Sequence, residues 1–415
     1  MSSRREFLTK AALAGMVATA SVQGLRAATH NGPRKGSVLR LAIVGVGDIS
    51  PRYLKQAAVS KRARFVATCA HRLESAQKRA EEYNIPAWYD DWNKMYDEAR
   101  PDAVVVVTPN NLHAAPAIAA LERGVHVLCE KPMATSWEDC KAVAAAAKRS
   151  GAVFLQLPYD AHPPFLAALE HLNEGSLGVF TGADAQLLIP GPGRDNWYYD
   201  KKVAGGAMLD SMVYPVSMLI GLLGPARSVT GFVNNLIPHR LVGGQTVDMI
   251  PPQSGQVIES NVDDNISLVL EWPTGQQALL RTLWGTSFFR ADTAVYGRQG
   301  TLWLTGFGSE AIVHSPLRPV HDATELTWNG IEHCYRLPAK NVPDIKDEGL
   351  LEHFVDCIQG LAKPTCGGDQ QLHVHEILFK GYDTARLRQA QVLETTFTPW
   401  HVIAPAFYDT RSRPV

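Results

Sequence analysis

From residue 38 onward, apolar runs of strand length alternate with segments of helical spacing and composition. The runs are apolar almost throughout, which is typical of strands buried on both faces of a parallel sheet. The intervening segments predict helices that cover this sheet. Strands are predicted at 38–44, 65–69, 103–107 and 127–129, with a short one around Trp88, and helices after an N-cap at Ser50, over 73–83, from about 112 to Gly124, and from a Thr135–Glu138 capping box to Gly151.

The second half of the chain has a different pattern that is rich in strands. Segments 264–272, 277–282, 294–296 and 301–304 are strand-like and are separated by turn pairs such as Thr274-Gly275. Helical segments follow at 349–361 and 372–389. Because 415 residues exceed what one hydrophobic core usually serves, we expect an α/β domain at 36–157, a second domain at 158–400 and a tail at 401–415.

The composition is that of an ordinary globular protein, with 46% hydrophobic residues, 20% charged residues and a formal net charge of −1. This balance gives no electrostatic basis for binding nucleic acid or an anionic membrane, so a small-molecule ligand is expected. The cysteines are sparse, and Cys69 and Cys129 end apolar runs. We therefore expect buried free thiols, and Cys357 with Cys366 is the pair close enough in sequence for a disulfide.

Residues 1–30 have the layout of an export signal. The pair Arg4-Arg5 is followed by Phe7, Leu8 and Lys10 and then by a short, weakly apolar run. That run is shorter than the roughly 20 residues that a membrane-spanning helix needs. The order of these features resembles a twin-arginine signal, by which the twin-arginine export machinery would carry the folded protein to the periplasm. A disordered basic tail is the alternative, and retention of the segment as an anchor stays open.

The first strand ends in a glycine-rich turn, GVGDIS at 45–50. Glycines at this spacing allow a tight turn and a close approach of the backbone to a pyrophosphate at the N-terminus of the next helix. A turn of this kind between a strand and a helix predicts a Rossmann dinucleotide-binding domain, and a turn without ligand is the alternative. The expected cofactor contacts here are Gly45, Gly47, Asp48 and Ile49.

The end of the second strand bears on which dinucleotide binds. An acidic residue there would bind the ribose 2′-hydroxyl of NAD, whereas an arginine would accommodate the 2′-phosphate of NADP. The sequence has His71 and Arg72 there and no acid before Glu74, which belongs to the next helix. We therefore favour NADP(H) over NAD(H), with His71 and Arg72 as contacts; a merely solvated Arg72 is the alternative.

Three further blocks of sequence carry a family resemblance. In their order along the chain, TPNNLH at 108–113, CEKP at 129–132 and GGAMLDSMVYP at 205–215 resemble the Gfo/Idh/MocA oxidoreductases. The resemblance spans residue 38 to about residue 395. It implies a C-terminal α+β domain with a large open, mostly antiparallel sheet, and assembly into dimers or tetramers. It also implies cofactor contacts from Thr108, Pro109, Asn110, His113, Glu130 and Lys131.

The third block contains Asp210 and Tyr214, which a continuous helix would place on one face. Family members usually have aspartate and histidine here, with the lysine of the EKP block nearby; Tyr214 replaces the histidine, as in glucose–fructose oxidoreductase-like members. The resemblance implies Lys131, Asp210 and Tyr214 as catalytic residues. A nearby ammonium lowers the pKa of a phenol, so Tyr214 would be the acid/base and Lys131 its tuner. The reverse assignment, with Lys131 as base, stays open, and a buried hydrogen-bonded pair is the structural alternative.

Aromatic residues near these blocks favour a carbohydrate substrate. In segment 194–200, Trp197 and Tyr198 stand beside amides and carboxylates, a combination that suits a sugar ring or a subunit interface. Tyr159 follows the last strand of the first domain, where ligands gather. A metal site at His373-Val374-His375-Glu376 is rejected because histidines at this spacing face apart on a helix. The expected substrate contacts are Lys131, Tyr159, Trp197, Tyr198, Asp210 and Tyr214.

Together these features predict an exported NADP(H)-dependent oxidoreductase that moves a hydride between a sugar or polyol carbon and nicotinamide. Outside the cytoplasm no nicotinamide pool regenerates the cofactor, so we expect a cofactor that is bound before export, retained and recycled, as in glucose–fructose oxidoreductase. A homo-oligomer without metal is also expected. The alternatives are a glycosidase that uses bound NAD(H) for transient oxidation of the sugar, and a sugar-binding protein without catalysis.

Overall fold

The computed structural model describes residues 36–157, 163–192, 196–242, 255–306, 308–338, 349–401 and 407–408. The strands of the first domain are β1 (Leu39–Val44), β2 (Ala63–Cys69), β3 (Trp88–Tyr89), β4 (Ala103–Val106), β5 (His126–Cys129) and β6 (Phe154–Gln156). Within the described residues they form a parallel sheet in the order β3-β2-β1-β4-β5-β6. The sheet grows outward from β1 in both directions, so the switch point where doubly wound folds bind ligands lies between β1 and β4. The predicted Rossmann fold is confirmed.

Helices cover both faces of this sheet. Leu41 and Ile43 of β1 enter one hydrophobic cluster, and Ala42 and Val44 enter another on the opposite face. This alternation follows from the period of two along a strand. The helices are α1 (Ser50–Val59), α2 (Leu73–Glu82), α3 (Trp92–Ala99), α4 (Ala114–Leu121) and α5 (Trp137–Ser150), and a short 3₁₀ helix at Asn110–Leu112 precedes α4.

Two predicted helix starts are wrong by one residue. Ser50 is the first helical residue of α1 rather than its cap, and its hydroxyl donates to the carbonyl of Gly47 at 2.7 Å. Ser136, not Thr135, caps α5: its backbone is extended, and its side chain accepts a hydrogen bond from the amide of Asp139 at 3.1 Å. A cap requires this non-helical backbone as well as a suitable side chain.

The second domain is built on one large sheet. Its strands are β7 (Phe180–Ile189), β8 (Ser228–Asn234), β9 (His239–Val242), β10 (Gln256–Glu259), β11 (Asn265–Glu271), β12 (Gln277–Trp284), β13 (Arg290–Gly297), β14 (Thr301–Thr305), β15 (Glu310–His314), β16 (Thr324–Trp328), β17 (Ile331–Arg336) and β18 (Gln391–Val392). Among the described residues the sheet order is β16-β17-β15-β14-β13-β7-β12-β11-β8-β18, with β9 and β10 paired separately. β7 and β12 run parallel and the other neighbours antiparallel, which confirms the predicted architecture.

The helices of this half do not all pack on its own sheet. They are α6 (Pro163–Asn173), α7 (Lys201–Ala204), α8 (Gly206–Asp210), α9 (Val213–Leu223), α10 (Gly349–Gln359) and α11 (Gly368–Leu387), with a 3₁₀ helix at Asn196–Tyr199. Leu350 and Phe354 of α10 are buried in the cluster that β1 and α1 form. Leu372 of α11 packs on the first domain, whereas Val374 and Ile377 join the core of the second. The exact domain boundaries stay a prediction, but the final helices bridge both cores.

The cysteines, all of them within the described residues, are buried free thiols, as predicted. No single described helix is long and apolar enough to cross a membrane. The segments Lys201–Asp210 and Val213–Leu223 reach that length and apolar character only as a pair, and they meet at a bend of 45°.

Candidate active site

The glycine-rich turn after β1 is packed on one side and open on the other. Gly45 has a φ of +98°, and a Cβ added to it would lie 2.5 Å from backbone atoms of Val107. Only glycine fits there, because that φ and that approach both exclude a side chain. A Cβ at Gly47 would meet no atom within 4 Å. This open side at the N-terminus of α1 fits a pyrophosphate.

Polar groups with room for a ligand surround this turn. The hydroxyl of Thr108, at the carboxyl end of β4, is buried and has no hydrogen-bond partner among the described residues. His71 and Arg72 are exposed at the carboxyl end of β2, and Asp48 and Ile49 are exposed in the turn itself. These residues fit a bound dinucleotide, since parallel strands place them at one edge of the sheet.

Glu130 is held inside the protein at the end of β5. Its side chain is buried, with one carboxylate oxygen accepting from the hydroxyl of Tyr53 at 2.6 Å and the other from the backbone amide of Lys131 at 3.1 Å. Burial and the neighbouring carboxylate raise the pKa of Tyr53 well above its usual value. Glu130 therefore anchors the first residues of the loop 130–134, which we call the EKP loop.

The side chain of Lys131 extends from this loop to the second domain. Its Nζ donates to a carboxylate oxygen of Asp210 at 2.6 Å and to the backbone carbonyl of Asp210 at 3.1 Å. The two side chains are 16% and 9% exposed. Burial by itself would lower the pKa of Lys131, but Asp210, followed by Tyr214 and Tyr198, raises it well above its usual value. Lys131 is therefore an ammonium paired with a carboxylate.

The second domain fixes Asp210 through residues distant in sequence. The hydroxyl of Ser211 donates to the other carboxylate oxygen of Asp210 at 3.3 Å, and the indole N–H of Trp284 donates to that hydroxyl at 2.8 Å. Trp284 is almost fully buried in the sheet. The carboxylate is thereby oriented from both sides, by an ammonium and by a hydroxyl that is itself held.

Helix α8, which ends at Asp210, is held at its start by a second buried carboxylate. Asp263 accepts from the backbone amide of Met208 at 2.7 Å and from the hydroxyl of Tyr382 at 2.6 Å. A Cβ at Gly206 would lie 2.5 Å from the Asp263 carboxylate, so glycine at this position allows the contact. An anion at a helix N-terminus satisfies free amides and matches the helix dipole. Asp263 thus sets the direction of the short helix that presents Asp210.

Tyr214 lies beside Lys131, but not for the reason that its spacing indicates. The continuous helix that would place Asp210 and Tyr214 on one face does not form: α8 ends at Asp210, α9 begins at Val213, and the segments meet at 45°. The Lys131 Nζ is nevertheless 5.5 Å from the centre of the Tyr214 ring. Burial raises the pKa of Tyr214, and Lys131 opposes this rise without overcoming it. The predicted influence of Lys131 therefore has the expected sign, but the net shift is upward.

The block 108–113 joins neighbouring loops. His113 is buried, with Nδ1 2.7 Å from the carbonyl of Pro132 and Nε2 2.8 Å from the carbonyl of Thr108. The amide of Asn110 donates to the carbonyl of Ala204 in the second domain at 2.9 Å. Pro109 precedes the 3₁₀ helix that contains Asn110. His113 and Asn110 therefore brace the carboxyl edge of the sheet, which sequence spacing alone does not indicate.

Of the predicted aromatic substrate contacts, the structure describes Trp197 and Tyr198 but not Tyr159. Trp197 and Tyr198 are half-buried and stacked, with ring centres 3.9 Å apart. Tyr198 contributes to the raised pKa of Lys131, so Tyr198 lies in the surroundings of the Lys131–Asp210 ion pair. Tyr159 lies outside the described residues. Within the part of the chain that the structure describes, no group of three potential metal ligands occurs.

Comparison with known proteins identifies the family to which this chain belongs. Residues 39–157 match the oxidoreductase family with an NAD-binding Rossmann fold, and residues 165–303 match the GFO/IDH/MocA C-terminal domain. The D-glucoside 3-dehydrogenase of Escherichia coli is 33% identical over 362 residues, which are 84% of this chain and 96% of that protein. The chain belongs to the Gfo/Idh/MocA oxidoreductase family.

A further relative agrees with this assignment. The levoglucosan dehydrogenase of Pseudarthrobacter phenanthrenivorans is 29% identical over 211 residues, which are 49% of this chain and 54% of that protein, so the match spans about half of the relative. The solved apo form of a levoglucosan dehydrogenase superposes with a TM-score of 0.74 at 18% identity, covering 87% of this chain and 100% of that one. At this identity the superposition shows the shared fold.

As a Gfo/Idh/MocA oxidoreductase, the chain is an NAD(P)-dependent enzyme, and its site has two groups that hold a proton. The pKa values of Lys131 and Tyr214 are both raised, so both side chains keep their protons near neutral pH. Asp210 balances the ammonium and orients it. The site can therefore donate a hydrogen bond and a proton to a substrate oxygen.

A pair of glycine substitutions tests the dinucleotide turn. Gly47→Ala should change the free energy of unfolding by less than about 0.5 kcal/mol, because its methyl group enters open space. It should weaken binding of the nicotinamide dinucleotide, with NADPH as the probe, at least about tenfold, since the backbone must approach the pyrophosphate there. Gly45→Ala, the contrasting variant, should destabilise the fold by about 1–3 kcal/mol through overpacking. Thermal unfolding and NADPH fluorescence titration measure both; unchanged NADPH affinity in Gly47→Ala would contradict this assignment of the turn.

Proposed function

We propose that this enzyme oxidises a secondary hydroxyl of a sugar or polyol and catalyses the reverse reduction. The observation that carries the proposal is the Lys131–Asp210 ion pair, with Tyr214 beside it, at the sheet edge that bears the glycine-rich turn. The similarity to a D-glucoside 3-dehydrogenase supports a ring hydroxyl of a glycoside as the substrate group. In the oxidation, the carbon loses a hydride with its electron pair, the hydroxyl loses a proton, and a carbonyl forms.

The residues of the chain divide this work. The glycine-rich turn, Thr108 and Arg72 would hold the nicotinamide dinucleotide, which when bound accepts or supplies the hydride. The Lys131 ammonium donates a hydrogen bond to the substrate oxygen, Asp210 holds Lys131 in place, and Tyr214 exchanges the proton. Trp197 and Tyr198 offer an aromatic surface for the sugar ring.

Lys131→Met tests these roles. Removing the ammonium should lower kcat for sugar oxidation by about 10²–10³-fold, the usual contribution of a positioned hydrogen-bond donor at an oxygen that gains negative charge. NADPH affinity should change little, because the turn is untouched. Lys141→Met is the matched control, since that side chain is 50% exposed on α5. The measurement is steady-state oxidation across a panel of glycosides and polyols, and unchanged turnover in Lys131→Met would refute the assignment.

We also propose that the cofactor is NADP(H) and that the protein retains it. The exposed Arg72 at the end of β2, with no acid before Glu74, supports this choice. Arg72→Ala should weaken NADP⁺ binding about tenfold to hundredfold, by loss of charge-assisted hydrogen bonds to the 2′-phosphate, and leave NAD⁺ binding unchanged. Arg64→Ala, an exposed arginine earlier in β2, is the control. Mass spectrometry of ligand released from natively purified protein should find NADP(H); recovery of NAD(H) alone would overturn the preference.

Export by the twin-arginine route completes the proposal, and with it recycling of the retained cofactor between two sugars. It rests on the order of Arg4, Arg5, Phe7, Leu8 and Lys10, which lie outside the described residues. Replacing both arginines with lysine keeps the charge but removes the guanidinium pair, so the protein should accumulate in the cytoplasm. Cell fractionation measures this, and equal periplasmic recovery of both proteins would contradict it.

A further inference from the structure

Helix α11 buries three polar side chains, which are those of His373, His375 and Glu376. A metal site at these residues is rejected because of their spacing, so their burial needs another explanation. Each faces a different part of the chain. His373 accepts from the backbone amide of Ala226, in the core of the second domain, at 3.1 Å. Glu376 accepts from the backbone amides of Glu394 and Thr395 at 2.7 and 2.8 Å. These contacts tie α11 to the second domain and to the chain that follows it.

His375 faces the first domain instead. Its Nε2 accepts from the backbone amide of Met133 at 2.9 Å, and its Nδ1 donates to the carbonyl of Gln371 at 2.7 Å. A single neutral tautomer satisfies both bonds. Burial lowers the pKa of His375 to about 4, so the ring stays neutral and Nε2 stays an acceptor at neutral pH.

Met133 belongs to the EKP loop, two residues after Lys131. The first domain holds this loop from its own side, because Tyr53 bonds Glu130 and His113 bonds the carbonyl of Pro132. His375 holds it from α11, a helix whose Val374 and Ile377 are buried in the core of the second domain. Through α11, the loop that carries Lys131 is therefore held in a fixed position relative to the domain that carries Asp210.

We propose that His375 is a positioning residue, which sets where Lys131 stands relative to Asp210 and the substrate by holding the amide of Met133. The proposal rests on the proposed function for its catalytic consequence. A shift of about 1 Å in a catalytic group costs up to about a hundredfold in rate. The hydrogen bond from the Met133 amide to His375 can prevent such a shift of Lys131, because Met133 follows Lys131 by two residues in the same loop.

The helix supplies its own matched control. His375→Leu and His373→Leu each remove one buried imidazole that accepts from a backbone amide, so both should lower the melting temperature to a similar extent. Only His375→Leu should lower kcat, by about tenfold to hundredfold, with a small change in KM. His375→Gln, whose side-chain oxygen can replace Nε2 as acceptor, should restore most of kcat, whereas the shorter His375→Asn should not.

Two readouts do not depend on turnover. Hydrogen exchange of the peptide that contains Met133 should rise in His375→Leu and stay unchanged in His373→Leu. The rate at which Lys131 is acylated at fixed pH, measured by mass spectrometry, should change in His375→Leu and stay unchanged in His373→Leu. If His375→Leu does not fold, the comparison of His375→Gln with His375→Asn decides the same point.

The outcomes separate this inference from the proposed function. Equal loss of kcat and equal exchange in the His373 and His375 variants would overturn the positioning role, because the effect would then be general destabilisation. Unchanged turnover in Lys131→Met would refute the proposed function, while a rise in exchange confined to His375→Leu would still support the hold on the EKP loop.

Discussion

The ion pair between Lys131 and Asp210 is the contact on which the site depends, because its two members come from different domains. Lys131 follows the fifth strand of the parallel sheet, Asp210 ends a short helix of the second domain, and the charged atoms are 2.6 Å apart. Both side chains are mostly buried, so removal of one would leave the other as an uncompensated charge. A surface ion pair has no such consequence. Separating the two domains at this point would therefore cost free energy, so the ion pair stabilises their arrangement.

Each domain prepares its half of this pair with buried polar groups that already have partners. Tyr53 bonds Glu130 behind Lys131, and Trp284 bonds Ser211 behind Asp210. Buried polar groups are costly unless their hydrogen bonds are made, and a satisfied network is correspondingly stiff. Such stiffness is what a hydride transfer needs, since the substrate oxygen must meet its proton donor without further reorganisation.

The sequence predicts the fold well because its signals are local. Uninterrupted apolar strands, a glycine turn at 45–50 and the EKP block each indicate structure within a few residues. The supporting contacts were not predictable in this way, since Glu130 and Tyr53 are 77 residues apart, and Met133 and His375 are 242 apart. The break between α8 and α9 was also missed, although Pro215 in the first turn of α9 signals it, because a proline cannot donate to the carbonyl of Ser211 four residues earlier. Asp210 and Tyr214 nevertheless both lie beside Lys131, Asp210 through a hydrogen bond and Tyr214 with its ring centre 5.5 Å from the Lys131 Nζ.

In the free site, Lys131 and Tyr214 keep their protons for different physical reasons. The pKa values of Lys131 and Tyr214 are both raised, Lys131 by its anionic partner and Tyr214 by burial. Burial and the Lys131 ammonium would both lower the pKa of a histidine in place of Tyr214, so this phenol keeps a proton that a histidine would release. Under the proposed roles, reduction of a carbonyl starts from a site that already holds the proton. Oxidation of a hydroxyl needs one of these protons to leave first, and a positive charge brought near them lowers both pKa values. Under the proposed roles, the positively charged nicotinamide ring of an oxidised cofactor would favour proton removal in either assignment of the base.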